Sequence, residues 1–192
     1  MDFQTTIINF SALNIVSGFL LLALYLTFKE VRPTKYWAIG GLLLGAGTIF
    51  VALRGVFPGF ISIGVANSLI FFGLAFHCRG FHEHLNDGKF SKAPFIVSAI
   101  TSFLFFMLLK PEFLSTRIIL SSATLTFLYG CSGHALLRKL TNQSFLITLV
   151  GITFFTAALT HIFRLGVYVT SNIRETDFLS TSQLANFLIF SI

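Results

Sequence analysis

Charge is what this chain has least of. Lys, Arg, Asp and Glu together make up 10% of its 192 residues, where a soluble domain carries about 25%. That shortfall excludes a water-soluble globule and a disordered tail. It also excludes a nucleic-acid partner, although the formal net charge is +6. Acidic residues number only seven, and none lies in the middle of an apolar run. A carboxylate relay for protons or cations through a membrane, or an intramembrane protease, therefore loses most of its support. The two cysteines, Cys78 and Cys131, lie far apart in apolar runs without a CxxC partner, which excludes a disulfide framework and a cysteine zinc site. HExxH, GxSxG, a Walker loop and a glycine-rich dinucleotide turn are all absent, so the chain itself is read as non-enzymatic.

What it does have is apolar surface. Hydrophobic residues are 55% of the chain, 25 residues are Phe, and the mean hydropathy is +0.85. At about 20 residues per apolar span, this length holds six or seven membrane helices. The expected fold is an all-α polytopic membrane bundle forming one domain over 1–192. Its spans are about 7–28, 37–53, 60–78, 94–109, 118–137 and 145–169, with an incomplete seventh at 183–192. The last run covers only about half a hydrocarbon core, so the chain reads as cut inside a seventh helix. Asp2 and the lack of a basic leader mark the first run as a retained helix and not a signal peptide.

Loop charges set an expected orientation. One side collects Lys29, Arg32, Lys35, Arg79, Lys89, Lys92, Arg138 and Lys139; the other has Arg54, Lys110, Arg117, Arg164 and Arg174. The positive-inside rule places the first set in the cytoplasm and the N-terminus outside.

Polar side chains inside the spans are the candidate site, because burying them in lipid is costly. With that orientation Asn14, Arg54, Asn67, His161 and Arg164, together with Gln183 and Asn186 of the incomplete helix, fall in the outer third. Two guanidiniums, an imidazole and several amides without a carboxylate suit an anionic or lipid-like ligand. The competing reading has the arginines snorkelling separately to head groups while the amides join helices. His77 and His134, near the other ends of their helices, are a weaker pair of haem or metal ligands; otherwise no cofactor is expected. Gly41 and Gly45 form a GxxxG, read as close packing within the bundle in preference to dimerisation.

One stretch carries a resemblance. Trp37 opening a glycine-rich helix, Leu53-Arg54-Gly55 with Pro58 at the turn, Ala66-Asn67, Gly73 and then Arg79-Gly80-Phe81 resemble the N-terminal membrane sensor region of bacterial diguanylate cyclases. Arg54 and Asn67 match the recurring arginine and asparagine of that pattern. The resemblance implies a multi-helix sensor in the bacterial inner membrane that precedes a cytoplasmic GGDEF domain making cyclic di-GMP. It also implies a homodimer, since two catalytic domains must meet. No GGDEF motif occurs in this chain. The expected function is thus a sensory domain that binds a small signal and shifts between helix arrangements. The alternatives are a small carrier or channel for an anionic or lipid-like solute, and a haem-bearing redox membrane protein.

Overall fold

The computed structural model of the chain describes residues 3–85, 90–138 and 144–170. It is all helical, with no strand among the described residues: α1 (Phe3–Thr27), α2 (Pro33–Ala52), α3 (Ala66–His84), α4 (Ala93–Met107), α5 (Leu114–Leu137) and α6 (Phe145–Thr170). A π-helical segment, Phe60–Val65, leads directly into α3, and a single 3₁₀ turn, Pro111–Phe113, precedes α5. Four helical stretches are long and apolar enough to cross a membrane: Thr5–Thr27, Pro33–Ala52, Phe60–His84 and Phe145–Thr170. This is a membrane protein by length and composition. The expected seventh helix, with Gln183 and Asn186, lies outside the described residues.

Several boundaries differ from expectation, among them three with a local reason. α2 starts at Pro33, four residues before Trp37; proline has no amide hydrogen to leave unbonded in a first turn and its φ is already helical. α3 runs on through the polar Arg79–His84 stretch, where Arg79 pairs with Glu83 one turn later at 2.9 Å. α5 begins at Leu114 and so includes Arg117, which is 7% exposed and not a loop residue.

Successive helices run antiparallel, and their order in space follows the chain. α1 packs along α2, α2 along α3, and α3 against both α4 and α5, while α6 lies along α5. The tight turn after α2 needs Gly55, whose φ is +99°, a region costly for any side chain. Small residues decide the helix contacts. Gly41 and Gly45 of α2 face the α1 backbone at Asn14, Gly18 and Ser11, whereas Gly40 and Gly47 face α3 at Gly73 and Ala66. The GxxxG of α2 is therefore consumed inside the chain. Its helix is pinched between two neighbours, as small residues permit.

At the centre Leu44, Phe71, Leu74, Ala75, Phe105 and Leu128 form the apolar core, with Phe71 edge-on to Phe105 at 5.5 Å. Around it the interior is rich in hydroxyls. Ser62, Ser98, Thr101, Ser121, Ser122, Thr124 and Ser132 are all buried. Ser98 Oγ donates to the Phe71 carbonyl at 3.1 Å, and Thr101 and Thr124 share a hydrogen bond of 2.9 Å between α4 and α5. Ser11 Oγ donates to Thr48 Oγ1 at 2.7 Å and so joins α1 to α2. In contrast α1 and α6 show long apolar faces outward, with Leu13, Leu20, Phe145 and Val169 each about two-thirds exposed or more, as lipid contact demands.

Candidate functional site

The antiparallel order gathers basic groups at two opposite ends of the bundle. At one end the turn after α2 holds Arg54, whose Nη2 reaches the Ser62 carbonyl of the π-helical segment at 3.4 Å. The wider coil of that segment offsets its carbonyls from the usual ladder. Arg54 is exposed in the turn yet within electrostatic reach of Arg117 at the start of α5; partial desolvation, and then this like charge, lower its pKa from the usual guanidinium range. Arg117 Nη1 reaches back to the Leu109 carbonyl at 3.5 Å. The two guanidiniums thus lie within electrostatic reach, and each makes a long bond to a backbone carbonyl.

α6 adds a second basic pair towards the same end. His161 is 7% exposed, and its ring stacks on Tyr129 of α5 with centroids 5.6 Å apart and planes 6° from parallel. Tyr129 in turn meets Phe154 at 5.7 Å, and Phe154 meets Phe81 of α3 at 5.1 Å. Arg164, three residues beyond His161, is half-buried and lies within electrostatic reach of both His161 and Tyr168. Neither His161 Nδ1 nor Arg164 Nε has a hydrogen-bond partner. Acids are scarce here. Of the three described carboxylates, Glu30 and Glu83 belong to the opposite end, and Glu112 sits in the 3₁₀ turn 3.8 Å from Lys110.

The sequence-derived candidates are thereby sorted. His161 and Arg164 form one group and Arg54 belongs with Arg117, which spacing alone had assigned to a loop. Asn14 and Asn67 each spend an amide donor on their own helix, Asn14 on the Phe10 carbonyl at 2.8 Å and Asn67 on the Ile63 carbonyl at 2.7 Å. Asn186 lies outside the described residues. Arg117 could have been suspected from one signal, a lone basic residue one position before a run of isoleucine and leucine.

At the opposite end Arg79 lies over the ring of Phe90 at 4.8 Å and that of Tyr36 at 5.4 Å. Arg138, Arg79 and His134 each stand within electrostatic reach of His82. Trp37 packs over Gly80, Phe81 and His84. The two histidines considered as haem ligands have different surroundings. His77 of α3 is packed against Gly40 of α2, whereas His134 is exposed on α5. Among the described residues no three His, Cys, Asp or Glu side chains converge as a metal set.

Set against protein families, curated proteins and solved structures, the chain matches none of them.

Proposed function

We propose that the chain is a membrane-embedded signal-sensing domain whose six described helices all cross the bilayer, with Arg54 outward and Arg79 in the cytoplasm. It binds a small anionic or lipid-like ligand at the Arg54 end and passes a helix displacement to a cytoplasmic output. By its resemblance around Trp37 to Phe81 that output is a diguanylate cyclase, in the inner membrane of a bacterium and working as a homodimer. The observation supporting this reading is that two basic pairs lie in the half of the bundle towards that end, Arg54 with Arg117 at the turn and His161 with Arg164 further along α6, while the one described acid there, Glu112, is already beside Lys110. A guanidinium withdrawn from water, as Arg117 is at 7% exposed, favours a bound anion. The excess of basic residues at the Arg79 end supports the orientation.

Native mass spectrometry of the purified chain in mild detergent tests the binding half. A retained acidic metabolite or anionic lipid is expected, and it is lost when a guanidinium of this half is removed, by Arg54→Gln, Arg117→Gln or Arg164→Gln. An empty protein, or retention indifferent to all three changes, refutes it. Fusing the chain to a GGDEF domain and reading cyclic di-GMP in cells tests the output half: Arg54→Gln is expected to shift the signal level without changing protein abundance. Flux of the retained solute into proteoliposomes would replace the sensor by a carrier.

A further inference from the structure

The α5–α6 seam combines a tight half and an unsatisfied half. In the tight half Gly133 meets the backbone of Gly151 and Phe155, and Gly151 meets Leu136 and Leu137. Tyr129 on His161 and Phe154 continues the same register. Helical spacing places Ser122, Thr126, Tyr129, Gly133 and Leu136 on one face of α5, each three or four residues from the next. Extending the antiparallel register towards the Arg54 end sets Thr126 level with His161, and Ser122 level with Arg164.

Those four residues share a second property. Ser122 Oγ, Thr126 Oγ1, His161 Nδ1 and Arg164 Nε are all buried atoms without a hydrogen-bond partner. Ser122 is 0% exposed and His161 7%. Serines and threonines in membrane helices usually bond the carbonyl one turn back, and this chain does so at Ser98, Ser132 and Thr156. Ser122 and Thr126 do not. Buried polar atoms in native structures are overwhelmingly satisfied, so several orphans on two consecutive levels of one seam call for a missing partner.

We infer that the α5–α6 seam is a seat for one anionic oxygen group, a carboxylate or a phosphate, held by Ser122, Thr126, His161 and Arg164. The inference rests on reading this end of the bundle as an anion site, and it moves the point of binding from the Arg54 turn into the seam. Two hydroxyls, a ring N–H and a guanidinium supply donors only to an acceptor-rich ligand. The guanidinium selects a planar or tetrahedral oxyanion. A free small acid and the phosphodiester of a lipid head group present the same chemistry.

The test uses the full chain in phosphatidylcholine nanodiscs, melted with and without inorganic phosphate or acetate, and native mass spectrometry with phosphatidylglycerol against phosphatidylcholine. Arg164→Gln, Ser122→Ala and Arg54→Gln are compared. A melting shift with phosphate or acetate, weakened about tenfold or more in Arg164→Gln, assigns the seat to a free anion. Selective retention of phosphatidylglycerol, lost in the same variant, assigns it to a head group. Ser122→Ala guards against misfolding as an explanation. Removing an unsatisfied hydroxyl leaves the ligand-free protein as stable or more so, while weakening the anion's effect. A lower ligand-free melting temperature for Ser122→Ala shows a structural hydroxyl and overturns the inference. Binding untouched by Arg164→Gln and Ser122→Ala but lost in Arg54→Gln also overturns it, and leaves the wider anion-site reading standing. Absence of binding to any probe defeats both.

Discussion

Replacing Gly73 by alanine puts a methyl group where α2 already stands. The new Cβ would lie 2.9 Å from the Gly40 carbonyl oxygen and 3.1 Å from the Leu44 amide nitrogen. Both are backbone atoms and cannot swing aside, so α2 and α3 must part. Overpacking of this kind costs about 1–3 kcal/mol. Alanine also gains about 1 kcal/mol of helix propensity over glycine, so the single variant blurs two opposed effects. Gly130→Ala supplies the correction, because it makes the same substitution in α5 where no atom lies within 4 Å. The propensity gain is common to both and cancels in the difference. Gly73→Ala should therefore be about 1–3 kcal/mol less stable than Gly130→Ala, whatever the propensity gain in micelles. Titration of the purified protein with SDS in mixed micelles measures this. The fluorescence of Trp37, the one tryptophan in the chain, reports on unfolding from its place against Phe81 and Gly80. Equal stabilities for the two variants would refute the close α2–α3 contact.

Thr101→Val should cost about 1–3 kcal/mol by stranding the buried Thr124 hydroxyl, and adding Thr124→Val should restore part of that loss; a double-mutant cycle with additive losses would count against the shared bond. Cys131 is half-buried and Cys78 fully buried, so a thiol reagent should modify Cys131 first, and mass spectrometry showing Cys78 modified in the folded protein would contradict the packing of α3. For orientation, Cys78 and Cys131 are replaced by serine and a single cysteine is placed at Val56 or at Lys29, both exposed in turns at opposite ends. A membrane-impermeant maleimide should label Val56→Cys from outside the cell and Lys29→Cys only after lysis, and the reverse pattern would invert the proposed topology.

Much of the helical order is legible in the sequence, because a run such as Ile118 to Leu120 or Phe145 to Val150 has no place in water. What is less legible depends on neighbours. Arg79 to His84 is polar enough to pass for a loop, yet Arg79 has Tyr36 and Phe90 rings beneath it and Glu83 one turn on, contacts that extend the helix. Arg117 is likewise basic enough to pass for a loop residue, and only the approach of Arg54 and the Leu109 carbonyl reveals its surroundings. His161 and Arg164 were identifiable as ionisable residues in an apolar run. Their association with Ser122 and Thr126 was not, since it depends on the α5–α6 register, and serine or threonine in a membrane helix ordinarily carries no signal beyond its own carbonyl.

The described cross-helix hydrogen bonds fall unevenly. Ser11 to Thr48 pins α1 to α2, Ser98 to the Phe71 carbonyl pins α4 to α3, and Thr101 to Thr124 pins α4 to α5. None of these three involves α6, which instead rests on α5 through Gly133, Gly151 and the parallel faces of Tyr129 and His161. Flat rings and glycine backbones resist separation but offer little to oppose a shift along the helix axis, much as two greased plates slide more readily than they part. A shift of α6 along α5 therefore breaks none of these three bonds. A charge held near Arg164 would act as its detent, fixing how far along α5 the helix comes to rest.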